Sequence, residues 1–264
     1  MKGRKDGTRR WPTNSLPGKR GKMSYIRDHY ENLLADHYSW LFGGFEAKLV
    51  ENERFLAAHG ITPQGNRRAI DLGSGSGFQS IPLARAGFQV TAIDLSPKLL
   101  SELNKRRDEL PIITVEDDLL NFSRHLEGKA ELCVCMGDTL THLDSRKVIE
   151  KLCRLVFAAL EENGRFVMTF RDLTHALEGL DRFIPVRNDE HTIFTCFLEY
   201  EPEHVKVHDL VYEKVDSSWV LKKNFYRKCR VPFTWIKEVL ADAGFKLPLA
   251  TIDKGLITII ASKQ

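Results

Sequence analysis

Apolar residues in this chain fall in short runs, separated by segments with helical spacing. Mostly apolar runs predict buried strands at 69–72, 88–93, 112–116, 131–136 and 165–170. Between the last two runs, Val148, Ile149 and Leu152 begin an apolar face with a period near 3.6 residues, which predicts a helix over 145–162. Strands that alternate with helices indicate an α/β fold around a largely parallel sheet.

Two regions depart from this alternation. Before the first strand, Tyr25–Phe42 has helical spacing, breaks at Gly43-Gly44, and is followed by a second predicted helix from Phe45 to His59. Polar and apolar residues alternate in three later stretches, which predict antiparallel strands at 192–200, 205–213 and 219–227. We interpret residues 23–60 as an N-terminal lid and about 182–228 as a β insertion that covers a small-molecule site. A helix over 232–243 and a hairpin over 245–262 complete the pattern.

A glycine-rich loop follows the first predicted strand. Residues 69–77 read Ala-Ile-Asp-Leu-Gly-Ser-Gly-Ser-Gly, with glycines at Gly73, Gly75 and Gly77. Glycine tolerates positive φ and leaves the backbone open, so this loop predicts a ligand that lies against main chain. The spacing differs from the Gly-x-Gly-x-x-Gly of hydride-transfer enzymes. Asp94 ends the next strand 21 residues after Gly73, where a doubly wound fold places a carboxylate for ribose hydroxyls.

The loop matches Asp-x-Gly-x-Gly-x-Gly, beginning at Asp71. In this motif the sequence resembles the class I, Rossmann-like methyltransferases that use S-adenosylmethionine (SAM), from about Tyr25 to the C-terminus. The resemblance implies a doubly wound, seven-stranded sheet of order 3-2-1-4-5-7-6, with SAM as the cofactor. It also implies a set of residues around SAM: Asp71, Gly73, Gly75, Gly77, Asp94, Leu95, Asp117, Asp118, Leu119, Met136 and Asp138.

Two of these acids have separate expected roles. The resemblance implies that Asp118 accepts the adenine amino group and that the backbone of Asp117 approaches the ring. In small-molecule methyltransferases the N-terminal segment often covers the cofactor, so we expect Tyr30 and Trp40 to line the site. Ordinary packing against the core remains the alternative for both aromatic residues, and packing is the favoured interpretation for Tyr38.

The loop after the fourth strand carries the candidate catalytic residues. The peptide from Met136 to Leu143 resembles the corresponding loop of glycine N-methyltransferase-like enzymes, and it lacks the Asn-Pro-Pro-Tyr and Pro-Cys motifs of base methylation. His142 is a candidate to orient a substrate or accept a proton, with capping or packing as the alternative. Arg171, at the end of the fifth strand, is a candidate to bind a carboxylate or phosphate, with a surface ion pair as the alternative.

Charge is distributed unevenly. Residues 1–22 hold eight Lys or Arg and one Asp, a net charge of +7, whereas the remainder carries 31 basic and 35 acidic residues. The tail has few apolar residues, so we predict that it is disordered, and a solvated extension is favoured over a nucleic-acid arm. Five cysteines sit mostly within strand or helix patterns, typical of a reducing compartment, and we predict a cytoplasmic protein without a metal or a membrane span.

Four functions therefore remain in view. The leading hypothesis is a SAM-dependent N-methyltransferase acting on a small molecule, and the nearest alternative is O-methylation. An RNA or protein methyltransferase that docks through the basic tail is a third, although we expect no nucleic-acid partner. A SAM-binding regulatory protein without turnover is the non-enzyme alternative. The sequence leaves the substrate and the oligomeric state open.

Overall fold

The computed structural model describes residues 22–264, with side chains from Ile26 onward. The predicted basic tail, apart from Lys22, lies outside the described residues. Strands are numbered along the chain: β1 (Arg68–Leu72), β2 (Gln89–Asp94), β3 (Ile112–Glu116), β4 (Ala130–Cys135), β5 (Leu160–Arg171), β6 (Phe183–Asn188), β7 (Thr192–Tyr200), β8 (His204–Val215), β9 (Ser218–Cys229), β10 (Lys246–Asp253) and β11 (Leu256–Ser262). The α-helices are α1 (Lys22–His29), α2 (Tyr38–Leu41), α3 (Phe45–Ala58), α4 (Ser80–Arg85), α5 (Pro97–Arg106), α6 (Arg146–Ala159) and α7 (Phe233–Asp242).

Seven strands form the main sheet, in the order β10-β11-β5-β4-β1-β2-β3. Counted along the chain among themselves, and read from the β3 edge, these strands have the order 3-2-1-4-5-7-6, which confirms the expected doubly wound sheet. β1 to β5 are parallel, and β11 runs antiparallel between β5 and β10. The carboxyl ends of the parallel strands therefore meet at one edge, where ligands bind in such folds.

Successive side chains along each strand point to opposite faces of the sheet and pack into two cores, one on each face. Ile70 and Leu72 of β1 belong to the core beneath α6 and α7, whereas Ala69 belongs to the core beneath α3 and α4. Cys133 and Cys135 are buried in the α6 side, and all five cysteines are free, as their positions in the pattern predicted. No helix in residues 22–264 is long and apolar enough to cross a membrane.

Element boundaries differ from the sequence analysis at two places. The predicted helix over 145–162 ends at Ala159, and the chain continues directly as β5, with Asn163 at φ 64° inside that strand segment. The insertion has four antiparallel strands, in the order β6-β7-β8-β9, where the sequence predicted three. The additional strand, β6, is short and contains Pro185, which is tolerated because β6 is an edge strand.

The lid segment is not one regular helix. After α1 the chain forms a π-helical turn over Tyr30–Leu34 and a 3₁₀ turn over Ala35–His37 before α2. Leu33, Leu34 and Ala35 are consecutive and all buried, an arrangement that a straight amphipathic α-helix with one buried face does not provide. Leu33 and Leu34 pack with Phe194, Val205 and other residues on one face of the insertion sheet. The lid is therefore held between the insertion and the main sheet.

Candidate active site

The glycine loop connects β1 to α4 at the carboxyl edge of the main sheet. Gly73, Gly75 and Gly77 have φ of 75°, 52° and 98°, a region that L side chains rarely adopt. The amides of Gly73 and Ser74 donate to the carbonyl oxygen of Ile93 at 2.8 and 3.0 Å, which fixes the loop to the end of β2. A Cβ on Gly73 would lie 2.3 Å from Thr139, so the loop also fits closely against the segment after β4.

A cleft of about 740 Å³ opens beside this loop. Its walls come from the glycine loop, the ends of β2 and β3, the segment after β4 and the lid. Of the residues predicted to surround SAM, it is lined by Tyr30, Gly73, Gly75, Asp94, Leu95, Asp117, Asp118 and Leu119, and the candidate catalytic residue His142 lines it as well. The sequence-predicted residues from five separate segments are thus brought to one cavity.

The remaining predicted residues lie outside the lining. Asp71 is buried beneath the loop and accepts a hydrogen bond from the Ser80 hydroxyl at 2.6 Å. A Cβ on Gly77 would lie 2.4 Å from Leu103, so Gly77 allows α5 to approach. Burial raises the pKa of Asp71 to about 7, with a further upward effect from the nearby Asp94. Asp71 and Gly77 support the loop from behind.

Met136 and Trp40 likewise have packing environments. Met136 is buried in the core beneath α3 and α4. Trp40 packs with the buried residues of the insertion, and the guanidinium of Arg187 lies over its ring at 5.4 Å. Tyr38, for which the sequence favoured packing, instead lines the cleft and approaches the position that a Cβ of Gly75 would take to 3.3 Å. The spacing of aromatic residues alone does not show that Tyr38 lines the cleft and Trp40 packs outside it, because the lid changes its helical type between Tyr30 and Tyr38.

Asp94 is held rigidly at the middle of the cleft. Its Oδ2 accepts from the Gly75 amide and its Oδ1 from the Ser96 amide, both at 2.8 Å. Burial raises the pKa of Asp94, while these backbone donors act in the opposite direction. A carboxylate has about four lone-pair positions, so each oxygen of Asp94 can accept a further hydrogen bond from a ligand.

The two acids after β3 are engaged differently. Asp117 accepts from Asn121, from His125 and from the Asp118 amide at 2.7–2.8 Å, and these donors lower its pKa to about 2. Asp118 accepts through Oδ1 from the Leu120 amide at 2.8 Å, which caps the 3₁₀ turn over Leu119–His125. Within the described residues, the Oδ2 of Asp118 has no such partner. Asp118 is therefore the better placed of the two to accept a hydrogen bond from a ligand.

Aromatic and imidazole rings form the inner wall of the cleft. His142 Nε2 lies 3.3 Å from the Tyr30 hydroxyl, and the His142 ring lies 5.2 Å from that of Tyr226. Burial lowers the pKa of His142 to about 3, and the nearby Lys228 lowers it further. His142 is consequently neutral near pH 7, and its Nδ1 is buried without a hydrogen-bond partner among the described residues.

Asp138 joins three segments behind this wall. Its Oδ2 accepts from Lys228 Nζ at 2.7 Å, and its Oδ1 accepts from the Arg171 amide at 2.6 Å. Burial would raise the pKa of Asp138, but Lys228 and Arg171 hold it below its usual value. The Arg171 guanidinium lies 3.7 Å from Asp138 and is 68% exposed, so it remains accessible to an anionic group. The sequence offered no local signal for Lys228, since it reaches Asp138 from the insertion.

The geometry fits SAM. Positive-φ glycines expose backbone along one side, Asp94 presents acceptors at the centre, and Asp118 stands at the far end. These are the positions from which methionyl, ribose and adenine groups can be held. The aromatic residues Tyr30 and Tyr38 close the cleft from the lid.

Comparisons with known proteins agree with this geometry. Residues 69–164 match a family model described as a methyltransferase domain. A glycine/sarcosine N-methyltransferase from Aphanothece halophytica is 28% identical over 230 residues, which cover 83% of this chain and 82% of that relative. Another, from Parasynechococcus marenigrum, is 30% identical over 67% of this chain and 64% of its own length. A solved sugar N-methyltransferase from Streptoalloteichus sp. has a TM-score of 0.68 over 98% of this chain and 100% of its own, at 13% identity.

The fold, the loop and these similarities define a class I SAM-dependent methyltransferase. This chain is an enzyme of that class, and its cofactor is SAM.

Proposed function

We propose that the enzyme methylates the nitrogen of a small-molecule amine. The observation that carries this proposal is the inner wall of the cleft, where the buried His142 has a pKa of about 3 and lies against Tyr30. A hydroxyl nucleophile needs a base that accepts its proton near neutral pH. An amine needs only to arrive in its neutral form. A residue with so low a pKa favours orientation of an amine over deprotonation of a hydroxyl.

The residues around the cleft have distinct proposed roles. The backbone of Gly73 and Gly75 holds the methionyl end of SAM, Asp94 accepts the ribose hydroxyls, and Asp118 accepts the adenine amino group. SAM supplies an activated methyl group on its sulfonium. The protein then mainly aligns the nucleophile and excludes water. Tyr30 and His142 face the space where that nucleophile enters, and their polar atoms fix its orientation.

Arg171 extends the proposal to the rest of the substrate. Its exposed guanidinium at the rim, supported through Asp138 by Lys228, is placed to bind a carboxylate or phosphate on the amine-bearing molecule. The names of the relatives support the amine: two are glycine/sarcosine N-methyltransferases and one is a sugar N-methyltransferase. A small substrate also suits a cleft that the lid covers.

The test is transfer of labelled methyl from SAM to matched pairs of acceptors. Each pair consists of an amino acid or amino sugar and its hydroxyl counterpart of the same size. We expect label in the amines and at most traces in the hydroxyl compounds. Label mainly in the hydroxyl compounds would overturn the amine assignment, and SAM binding without any transfer, across a broad metabolite extract, would favour a regulatory role.

Site assignment has its own test. Asp94→Ala removes a charge-assisted acceptor for two hydroxyls, so SAM affinity should fall by at least tenfold, since such bonds contribute roughly 1.5–3 kcal/mol each. Glu109→Ala, which removes an exposed carboxylate beyond the end of α5, is the control and should leave the affinity unchanged. Unchanged affinity in Asp94→Ala, measured by calorimetry, would exclude Asp94 as the ribose ligand.

The alternative of an RNA or protein methyltransferase that docks through the basic tail has a separate test. It predicts salt-sensitive RNA binding that deletion of residues 1–22 abolishes.

A further inference from the structure

One arginine lines the cofactor cleft. Among the cleft-lining residues within 22–264, Arg27 is the only Lys or Arg, and it belongs to α1 of the lid. Asp94, Asp117 and Asp118 line the same cleft. SAM carries a positive sulfonium, which repels a nearby guanidinium. Arg27 is therefore compatible with SAM only if it lies away from the sulfur.

An ion pair with Glu116 fixes the place of this guanidinium. Arg27 Nη2 donates to Glu116 Oε1 at 2.5 Å, and both side chains are a little under half exposed. Glu116 is the last residue of β3, and its register partner on β2 is Asp94. The guanidinium is thus held where β2 and β3 end, next to Asp117 and Asp118.

This place is far from the reacting end of the cleft. The reacting end is marked by His142, which follows β4 and contacts Tyr30. β1 and β2 lie between β4 and β3 in the sheet. With neighbouring strands about 4.8 Å apart, the end of β3 is roughly 14 Å from the end of β4 and roughly 10 Å from the glycine loop after β1. The charge of Arg27 is thereby kept away from the sulfonium.

The lid turns one helical face toward the whole cleft. Ile26, Arg27 and Tyr30 all line it, and residues three or four apart lie on the same side of a helix. Tyr30 covers the reacting end. Arg27, one turn earlier, therefore covers the opposite end.

The group of SAM proposed to lie at that opposite end is adenine. Asp118, which comes from the main sheet, is proposed to accept the amino group at the edge of the ring. A contact at the edge leaves one face of the ring toward the lid. The planar guanidinium of arginine stacks on aromatic faces, and unpaired bases stack on arginine in the same way.

We propose that Arg27 is a further cofactor-binding residue, whose guanidinium stacks on the adenine ring of SAM. Glu116 is then a positioning residue, since its carboxylate holds the guanidinium over the ring through Nη2. The inference rests on the proposed place of adenine beside Asp118 and is independent of the methylated substrate.

The test is the affinity of the full-length protein for S-adenosylhomocysteine, the product left by SAM, measured by calorimetry. Arg27→Ala should raise the dissociation constant about tenfold or more, because it removes one face of the adenine site. Arg85→Ala is the matched control, because Arg85 forms a similarly exposed ion pair with Glu53, at 2.8 Å, outside the cleft lining. The control should bind as the wild type does.

Two further variants separate stacking from a simple tie between lid and sheet. Arg27→Lys keeps a positive charge near Glu116 but lacks the planar group, so we still expect a loss of about fivefold or more. Glu116→Ala keeps the guanidinium and removes only an exposed ion pair, so its loss should be about threefold or less. Full affinity in Arg27→Lys, or equal losses in Arg27→Ala and Glu116→Ala, would overturn the stacking role.

A shorter ligand shows which end of the cofactor Arg27 contacts. 5′-Methylthioadenosine contains adenine and ribose but no amino-acid part, and its affinity is measured by competition with S-adenosylhomocysteine. Arg27→Ala should weaken both ligands by the same factor, and an unchanged affinity for the shorter one would overturn the inference. Asp118→Ala tests the place of adenine separately. A loss in Asp118→Ala with none in Arg27→Ala would overturn the stack alone, and a loss in neither would overturn both assignments.

Discussion

His29 and Asp209 form a buried contact between the lid and the insertion, with 2.8 Å between Nε2 of His29 and Oδ2 of Asp209. The two residues are separated by 180 positions in the chain, and both side chains are almost completely buried. Asp209 also accepts from the Cys196 thiol, and the His29 ring lies 4.6 Å from Tyr226. Through these contacts the pair holds α1 against β8, and Tyr226 of β9 lies beside it at the inner wall of the cleft.

Asp209→Ala should therefore loosen the lid and destabilise the fold. It leaves His29 buried without its acceptor, which we expect to cost about 2–4 kcal/mol. Glu199→Ala, which removes a partly exposed carboxylate beside His208, should cost less than about 1 kcal/mol. Urea unfolding gives both values, and hydrogen exchange of residues 26–34 reports the loosened lid. Equal losses in the two variants would contradict the role of the buried pair.

Gly75→Val should abolish SAM binding. The new side chain would enter the cleft beside Tyr38, with its Cβ 3.3 Å from that ring, at a φ of 52°. Gly179→Val is a close control because Gly179 has the same φ of 52° and nothing within 4 Å of a Cβ. Both variants bear the backbone strain, but only the first blocks the cleft. Calorimetric titration with SAM separates them, and comparable affinities would show that the loop does not hold SAM.

Asp71 should make the enzyme less stable as the pH rises. Its pKa is about 7 in the folded protein and 3.8 otherwise, so the folded state retains a proton that the unfolded state releases. This contribution to stability is complete below about pH 4 and is lost as the pH rises through 7. Asp71→Asn removes it, so between pH 5 and 8 the wild type should lose about 2–3 kcal/mol more than the variant. The free energy of unfolding is measured with urea at each pH, with the exposed Asp253→Asn as the control. Wild-type and Asp71→Asn values that change in parallel between pH 5 and 8 would refute this effect of Asp71.

His142 should act by orientation and not as a general base. With a pKa of about 3 it stays neutral from pH 5 to 8, so kcat/KM should show no ionisation of His142 in that range. His142→Gln retains a polar group of similar reach and should lower kcat/KM about tenfold, whereas loss of a general base costs about 100-fold or more. An inflection of kcat/KM near pH 6.5 that is absent from the His142→Gln variant would show that His142 acts as a general base. That result would favour O-methylation.

The sequence predicted what neighbouring residues encode. The glycine loop and the Asp94 strand end are each recognisable from a short stretch of sequence, although they contact each other across 19 positions. The Ser96 cap of α5, which accepts from the Leu99 amide, is a wholly local contact. The strand order followed from the family resemblance. Lys228 and Asp209 were missed because their partners lie 90 and 180 positions away, and nothing in their own strand pattern marks those partners. The π-helical turn was missed for the same reason, since packing against the insertion determines it.

The location of the inner wall has a consequence for how such an enzyme can change. Apart from the arginine of α1, the residues proposed to hold SAM lie between 73 and 119, and Tyr30 of the lid lines the same cleft. Tyr226 and Lys228, which contact His142 and Asp138 from behind, come from the insertion. Substitutions in β6–β9 can therefore change which substrate the enzyme accepts. The glycine loop and its affinity for SAM would stay the same. One chain thus carries its proposed cofactor site and the support of its substrate side on separate stretches of sequence.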